Sequence, residues 1–205
     1  MEYDLLIRGC GIIDGESTPE FKADVGVRDG VISAMGDLSD SGADQTIKFP
    51  GSILAPGFID IHTHTDFTIL INPRAESKIR QGVTTEVIGN CGSSAAPLYG
   101  EKLIRVREQN KDLEIDWQTL GEYRERVMKQ GTAVNLIPLT GHGNIRAAVM
   151  GYDPRVPDKM EMRRMVDILR QSLEEGNRGI STGLVYPPGV FSGQEELVSL
   201  LSEVG

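Results

Sequence analysis

The sequence predicts an α/β fold in which a β-rich first segment is followed by strands that alternate with helices. In the first segment, short β-like runs are separated by Asp-Gly dipeptides, a pattern typical of a small sheet with hairpins. After Pro56-Gly57, apolar strand candidates alternate with helical segments, which indicates a parallel sheet with crossover helices. We therefore divide the chain into domains 1–54 and 55–205.

The first segment contains four β-like runs, which we expect to pair as an antiparallel sheet. The runs are Tyr3 to Arg8, Ala23 to Val27, Val31 to Met35 and Gln45 to Ile53. Asp14-Gly15 and Asp29-Gly30 lie between runs and supply the residues of tight turns. Cys10 lies between two glycines just after an apolar run, where a small buried thiol is expected.

The second segment contains four strand candidates: Phe58 to His62, Thr84 to Ile88, Ala133 to Leu139 and Gly179 to Val185. Asn72 before Pro73 predicts a helix start, and Gly82 can end that helix. Capping-box spacing predicts three further helix starts, at Thr119 with Glu122, Asp158 with Glu161, and Ser192 with Glu195. The helix after Asp158 has one apolar face, which predicts packing on a sheet: Met162, Val166, Leu169 and Leu173.

Composition and charge exclude several classes of function. The formal net charge of -9 argues against a nucleic-acid partner, which needs a surface of clustered Lys and Arg. The apolar runs are too short for a membrane span and the first residues lack the order of a signal peptide, so we expect a cytoplasmic protein with no membrane partner. Cys10 and Cys91 are too few for a disulfide framework and fit a reducing compartment.

His62 and His64 are the candidate metal ligands with the clearest pattern. Residues two apart on a strand share one face, and paired imidazoles at a strand end hold a divalent ion such as zinc. The alternative is two polar residues that are solvated or hydrogen-bonded at the strand end. An apolar run with Asp60 on the same face leads into the pair, and this context favours the metal site.

Cys91 follows the next strand, in a turn flanked by glycines. A lone buried cysteine is usually a small hydrophobe, whereas a thiolate is a strong zinc ligand. Because the carboxyl ends of parallel barrel strands meet at one edge, we expect Cys91 to lie beside the histidines and favour the ligand. The loop from Thr140 to Arg146 and Tyr186 are expected at the same edge.

Five motifs, in order, carry a family resemblance. They are Pro56-Gly57-Phe58-Ile59-Asp60 with His62 and His64, Gln81 to Thr85, Gly89-Asn90-Cys91-Gly92, Gly141-His142-Gly143 with Arg146, and Ser181 to Gly189. The chain resembles the N-acyl-D-amino-acid deacylases of the amidohydrolase superfamily over nearly its whole length. The resemblance implies the N-terminal half of a metal-dependent β/α (TIM-like) barrel, truncated before the fifth strand and preceded by a small β-sandwich segment at 1–54.

The resemblance also implies a reaction and a cofactor. The parent enzyme would hydrolyse the amide bond of a small-molecule substrate, an N-acyl-D-amino acid, giving a carboxylate and a D-amino acid, with one or two zinc ions. His62 and His64 would be ligands, and Cys91 would contact or bridge the metals. Many relatives instead bridge two metals with a carboxylated lysine on the fourth strand, but Gly179 to Val185 contains no lysine.

The resemblance places no catalytic residue within the chain, because the acid/base aspartate is expected beyond Gly205. The last helix, capped at Ser192, is expected to close at Gly205. We therefore expect the chain alone to be an inactive fragment that self-associates through open sheet edges.

Four residues are weaker candidates. Tyr186 and His142 are predicted to bind substrate, with a rim aromatic and a backbone-bonded loop histidine as the respective alternatives. Asp60 is predicted to orient a ligand histidine without touching the metal. Asp66 could do likewise, but we favour a solvated loop carboxylate, and we interpret the segment from Glu101 to Lys111 as a solvated helix face.

Two other functions stay open on the sequence. The first is a cyclic-amide hydrolase of the same superfamily, against which the missing lysine and the presence of Cys91 argue. The second is a non-catalytic binding or scaffold protein, against which the intact His62, His64 and Cys91 argue.

Overall fold

In the computed structural model, which describes residues 2–204, the chain forms two units, Met1–Gly57 and Phe58–Gly205. The strands of the first unit are β1 (Tyr3–Ile12), β2 (Phe21–Arg28), β3 (Val31–Gly36), β4 (Ala43–Lys48) and β5 (Ile53–Leu54). They form one sheet in the order β3-β2-β1-β4, with β5 also on β1. Cys10 is buried in the small core of this unit beside Ile12 and Val25, as expected.

The sheet of the first unit is mixed, so the prediction of an antiparallel sheet is only partly right. β1, β2 and β3 pair antiparallel, and Asp29 and Gly30 form their tight turn with φ values of 53° and 74°. β4 and β5 pair parallel to β1. The link from β3 to β4 crosses the sheet, and Arg8 holds it by donating to the carbonyls of Leu38 at 2.8 Å and Ser41 at 2.9 Å.

The predicted strand from Gln45 to Ile53 is broken into β4 and β5. Pro50 lacks the N–H that a strand interior uses, and Gly51 adopts a positive φ of 77°. The chain therefore bends between the two strands, and each pairs with a different part of β1.

The second unit contains parallel strands separated by helices, as predicted. The strands are β6 (Phe58–Asp60), β7 (Val83–Ile88), β8 (Asn135–Pro138), β9 (Thr140–Gly141) and β10 (Ile180–Ser181). β6, β7 and β8 form one parallel sheet, and β9 pairs parallel with β10. Arg178 N donates to the Pro138 carbonyl at 3.0 Å, so β10 follows the third strand as its neighbour. These are the first units of a β/α barrel.

The helices of the second unit are α1 (Thr68–Ile71), α2 (Glu76–Ile79), α3 (Gly100–Gln109), α4 (Leu120–Gln130), α5 (His142–Met150), α6 (Lys159–Glu174) and α7 (Gln194–Leu201). Both halves of the predicted capping box are present at the start of α4 and of α6. Of the predicted apolar face of α6, Leu169 is fully buried and the other three residues are partly buried, with Met165 as a further buried residue. Among the described residues, no helix is long and apolar enough to cross a membrane.

Two predicted helix starts are wrong. Asn72 ends α1 instead of starting a helix, since its N–H donates to the Thr68 carbonyl at 2.7 Å. Ser192 is followed by Gly193, which is the actual N-cap of α7. The Ser192 hydroxyl instead donates to the Gly189 carbonyl at 2.5 Å, within a short 3-10 turn. α7 ends at Leu201, and the predicted closure at Gly205 lies outside the described residues.

Candidate metal centre

The donor atoms of His62, His64 and Cys91 lie within 4.8 Å of one another. His62 Nε2 is 3.1 Å from Cys91 Sγ, and the two imidazole rings meet edge to face with centroids 5.5 Å apart. Both histidines follow the carboxyl end of β6 and are exposed, whereas Thr63 between them is buried. The structure therefore brings together the three side chains that the sequence predicted at this edge of the sheet.

Cys91 is held in an unusual backbone conformation. Its φ is 54°, a region in which a residue other than glycine is uncommon and needs support from its surroundings. The Tyr186 hydroxyl donates to the Cys91 carbonyl, and Gly92 N donates to Ser181 Oγ at 2.9 Å. The turn after β7 is thus fixed by residues that follow β10.

Two glycines allow the Cys91 turn and the segment after β10 to touch backbone to backbone. A Cβ on Gly183 would lie 2.1 Å from the Cys91 carbonyl oxygen, and one on Gly92 would lie 2.6 Å from Gly183 N. Because any larger residue would force these segments apart, the glycines are required by close approach. The Asn-Cys-Gly and Ser-Thr-Gly motifs are therefore two sides of one contact.

The donor set fits a zinc ion. Two imidazoles and a thiol are ligands that zinc prefers, and zinc lies about 2.0–2.3 Å from such atoms. Donors around one ion are therefore about 3–4 Å apart, close to the spacing of these three. His62, His64 and Cys91 would therefore be able to hold such an ion together.

Asp60 does not orient an imidazole, so that prediction is wrong. Asp60 Oδ2 lies 2.6 Å from Lys78 Nζ, and Oδ1 accepts the backbone N–H of His62, at 3.3 Å. The hydrogen bond from Lys78 lowers the pKa of the Asp60 carboxyl. The reason is the strand register, which places Asp60 opposite Glu86 on β7, where both carboxylates reach Lys78.

Asp66 is buried, which contradicts the solvated-loop interpretation. Its carboxylate accepts the Ala95 N–H at 3.3 Å, and its carbonyl accepts the Tyr123 hydroxyl at 2.6 Å. Burial raises the pKa of Asp66 to about 6. The carboxylate therefore anchors the His-x-His segment to the interior.

His142 lies in the core and cannot face a ligand. Its ring is fully buried, and Nε2 lies 2.7 Å from Glu196 Oε1. Glu196 also pairs with the buried Arg146 through Oε2. The sequence missed this cluster, since Glu196 of α7 is distant along the chain and looks like an ordinary first-turn carboxylate.

Tyr186 lies beside the site, with its hydroxyl on the Cys91 backbone. Its ring lines a cavity of about 140 Å³ together with Lys102 and the Cys91 turn. The interpretation of the segment from Glu101 to Lys111 as a solvated helix face is wrong at Lys102. Its Nζ donates to Ser93 Oγ at 3.2 Å, and burial lowers the pKa of its ammonium.

Comparison with known proteins agrees with this geometry. Residues 45–200 match the model of the amidohydrolase family. The chain is 38% identical over 199 residues to a D-aminoacylase of Alcaligenes xylosoxydans xylosoxydans, covering 97% of this chain and 41% of that protein. It is 40% identical over 202 residues to an N-acyl-D-glutamate deacylase of the same organism, with the same coverage of 97% and 41%.

A solved structure gives the same result. The N-acyl-D-glutamate deacylase of Bordetella bronchiseptica, crystallised with zinc and a phosphonate inhibitor, superposes with a TM-score of 0.87 at 38% identity. The match covers 98% of this chain and 42% of that one. The chain thus spans about two fifths of the length of these relatives. The motif-based resemblance and the predicted barrel fold are confirmed.

Proposed function

The chain belongs to the amidohydrolase family, and from this membership we propose that the whole protein hydrolyses the amide bond of N-acyl-D-amino acids. The products would be a carboxylate and a free D-amino acid. The observation that carries the proposal is the cluster of His62, His64 and Cys91 at the carboxyl ends of β6 and β7. Relatives named D-aminoacylase and N-acyl-D-glutamate deacylase support the substrate class.

We propose zinc as the metal, one ion or two, held in part by His62, His64 and Cys91. When bound, zinc lowers the pKa of a coordinated water and polarises a carbonyl group. The chain's own contribution is to fix two imidazoles and a thiol in one place before the metal arrives. The turn at Cys91, held by the hydrogen bond from Gly92 N to Ser181 Oγ, provides that rigidity.

Tyr186 is the proposed substrate contact within this chain. It is 42% exposed, and its hydroxyl would exchange the Cys91 carbonyl for the α-carboxylate of the substrate. His142 is withdrawn as a substrate contact because it is fully buried. The acid/base aspartate beyond Gly205, the cytoplasmic location and the self-association of the isolated chain stay predictions.

The test compares Cys91→Ala with Cys10→Ala in the full-length protein. Cys10 is a matched control, because it is the other cysteine and lies in the first unit. Cys91→Ala should remove most bound zinc and most turnover of N-acetyl-D-methionine, whereas Cys10→Ala should keep both. If zinc content and turnover of Cys91→Ala stay near the unmutated level, the proposed centre is wrong.

The substrate class is tested on the unmutated protein with N-acetyl-D-methionine, its L enantiomer and dihydrouracil. We expect the D-amide to react fastest, since a site that pairs a buried polar group discriminates strongly against substrates that lack its partner. Faster hydrolysis of dihydrouracil would show a cyclic-amide hydrolase instead.

A further inference from the structure

Glu86 is a buried charge that the proposed reaction does not use. It lies on β7 with no exposed surface, in a strand whose neighbours are threonines and apolar residues. An isolated buried carboxylate is strongly unfavourable, so its partners must compensate for the lost hydration. Those partners lead directly to the candidate metal ligands.

Lys78 neutralises Glu86 from one side. Asp60 and Glu86 are opposite each other in the register of β6 and β7, where two like charges would repel. Lys78 Nζ lies 2.6 Å from Asp60 Oδ2 and 3.1 Å from Glu86 Oε1, and so bridges both carboxylates. The Lys78 ammonium therefore lowers the free-energy cost of burying the Glu86 carboxylate.

The other oxygen of Glu86 holds the His-x-His segment. Glu86 Oε2 accepts the Thr65 hydroxyl at 3.0 Å, and Thr65 Oγ1 lies 3.2 Å from Thr63 Oγ1. The Thr63 hydroxyl donates to the Val87 carbonyl at 3.1 Å, and Thr63 N donates to the same carbonyl at 3.2 Å. One threonine lies between the two histidines and the other directly follows them.

Asn90 connects the same carbonyl to the Cys91 turn. Its Nδ2 donates to the Val87 carbonyl at 2.8 Å and to the Thr63 carbonyl at 3.3 Å. Asn90 immediately precedes Cys91 and is buried. The segments carrying the imidazoles and the thiol are therefore joined through Val87 by side chains that are not themselves donors to the metal.

We infer that Glu86 is a positioning residue for the metal centre, acting through Thr65, the residue that follows His64, to fix the His-x-His segment on β7 at its distance from Cys91. This inference rests on the proposed function, because it assumes that the three donors bind zinc. A buried carboxylate, and not only the ligands, thus sets the zinc affinity.

The protons of the two threonine hydroxyls explain why a carboxylate is needed at this position. Each threonine hydroxyl has one proton to donate, yet the two hydroxyls make three contacts. The Glu86 carboxylate only accepts, so it takes the Thr65 proton and leaves that of Thr63 for Val87. The two threonine oxygens are then in contact with no proton between them, so the Thr65 hydroxyl is tied to β7 through Glu86. A glutamine at position 86 has one carbonyl oxygen and cannot accept from both Lys78 and Thr65 as the carboxylate does, so one of these contacts would be lost or reversed.

The experiment measures the zinc dissociation constant of the protein by competition with a chelator, and the visible absorption of bound Co²⁺ as a probe of ligand geometry. Glu86→Gln and Thr65→Val should each weaken zinc binding about 10- to 100-fold, the usual effect of removing a residue that supports a ligand. Thr65→Ser keeps the hydroxyl and should bind as the unmutated protein does. The double variant Glu86→Gln/Thr65→Val should lose little more than either single one, since both break one connection.

Glu196→Gln is the matched control, because Glu196 is a buried carboxylate with cationic partners in the same unit. It should lower thermal stability without changing zinc affinity or the Co²⁺ spectrum. Equal weakening by Glu196→Gln, or unchanged binding in Glu86→Gln and Thr65→Val, would overturn the inference. In either case Cys91→Ala tests the metal centre separately from the positioning role of Glu86. Loss of zinc in that variant supports the centre, and retention of zinc rejects it.

Discussion

Glu86 and Glu196 are both buried carboxylates of the second unit, 0% and 2% exposed, and each lies beside a cation. Their remaining partners differ. Glu86 reaches a threonine next to the candidate ligands, whereas Glu196 reaches His142 at the start of α5 and Arg146 one turn later. Arg146 also donates to the carbonyls of Asp153 and Arg155 after that helix.

A buried carboxylate beside a cation serves two different purposes in this unit. A buried carboxylate requires a cation and filled hydrogen bonds, and the groups that supply them become fixed in place. At Glu86 the fixed groups lie next to the candidate metal donors, so under our proposal this buried carboxylate serves the metal centre. At Glu196 the fixed groups join α5, its following loop and α7, so that buried carboxylate serves the fold.

Arg146→Met should give the largest loss of stability. Removal of one partner of a buried pair leaves an uncompensated charge, here Glu196, and should lower the free energy of unfolding by about 3–5 kcal/mol. Chemical denaturation measures the loss, with the exposed Arg170→Met as control. The zinc affinity of the folded protein should not change. A loss below about 1 kcal/mol, the level of an exposed pair, would contradict this picture.

Lys78→Met should lower stability less than Arg146→Met does, but unlike that variant it should also weaken zinc binding. Lys78 is partly exposed and lies 3.1 Å from one oxygen of Glu86, so its removal should lower the free energy of unfolding by about 1–3 kcal/mol, the usual penalty for leaving a buried acceptor without its partner. Because Glu86 also holds Thr65, zinc binding should weaken as well. Denaturation and chelator competition on the same samples check both effects. A variant that is less stable with unchanged zinc affinity would make the two clusters equivalent and remove the distinction between them.

Glu161 pairs with the exposed Arg155, and unlike the two buried carboxylates it should contribute least to stability. Arg155, and then the N–H of Asp158, lower the pKa of Glu161 to about 2. Because the folded pKa is below the unfolded value of 4.5, the carboxylate stabilises the fold above that pH. The stability difference between the unmutated protein and Glu161→Gln should shrink as pH falls from 4.5 toward 2. Denaturation at several pH values checks this, and a constant difference would contradict it.

The sequence predicted the features that depend on neighbours along the chain. The capping boxes at Thr119 and Asp158 are hydrogen bonds across three residues, so spacing alone reveals them. The tight turn at Asp29-Gly30 depends on two residues that accept positive φ. The alternation of strands and helices gave the barrel units, and the motif order gave the family.

The sequence also predicted that His62, His64 and Cys91 lie together, because parallel strands end at one edge of the sheet. Only the tertiary structure decided what surrounds them. The parallel direction of β4, the burial of Asp66 and the place of His142 in the core all depend on contacts between residues far apart in the chain. Glu86 did give a local signal, as the one charged residue of β7 among threonines and apolar residues. Its partners Lys78 and Thr65 come from other segments, and long-range packing alone determines which side chains satisfy a buried charge.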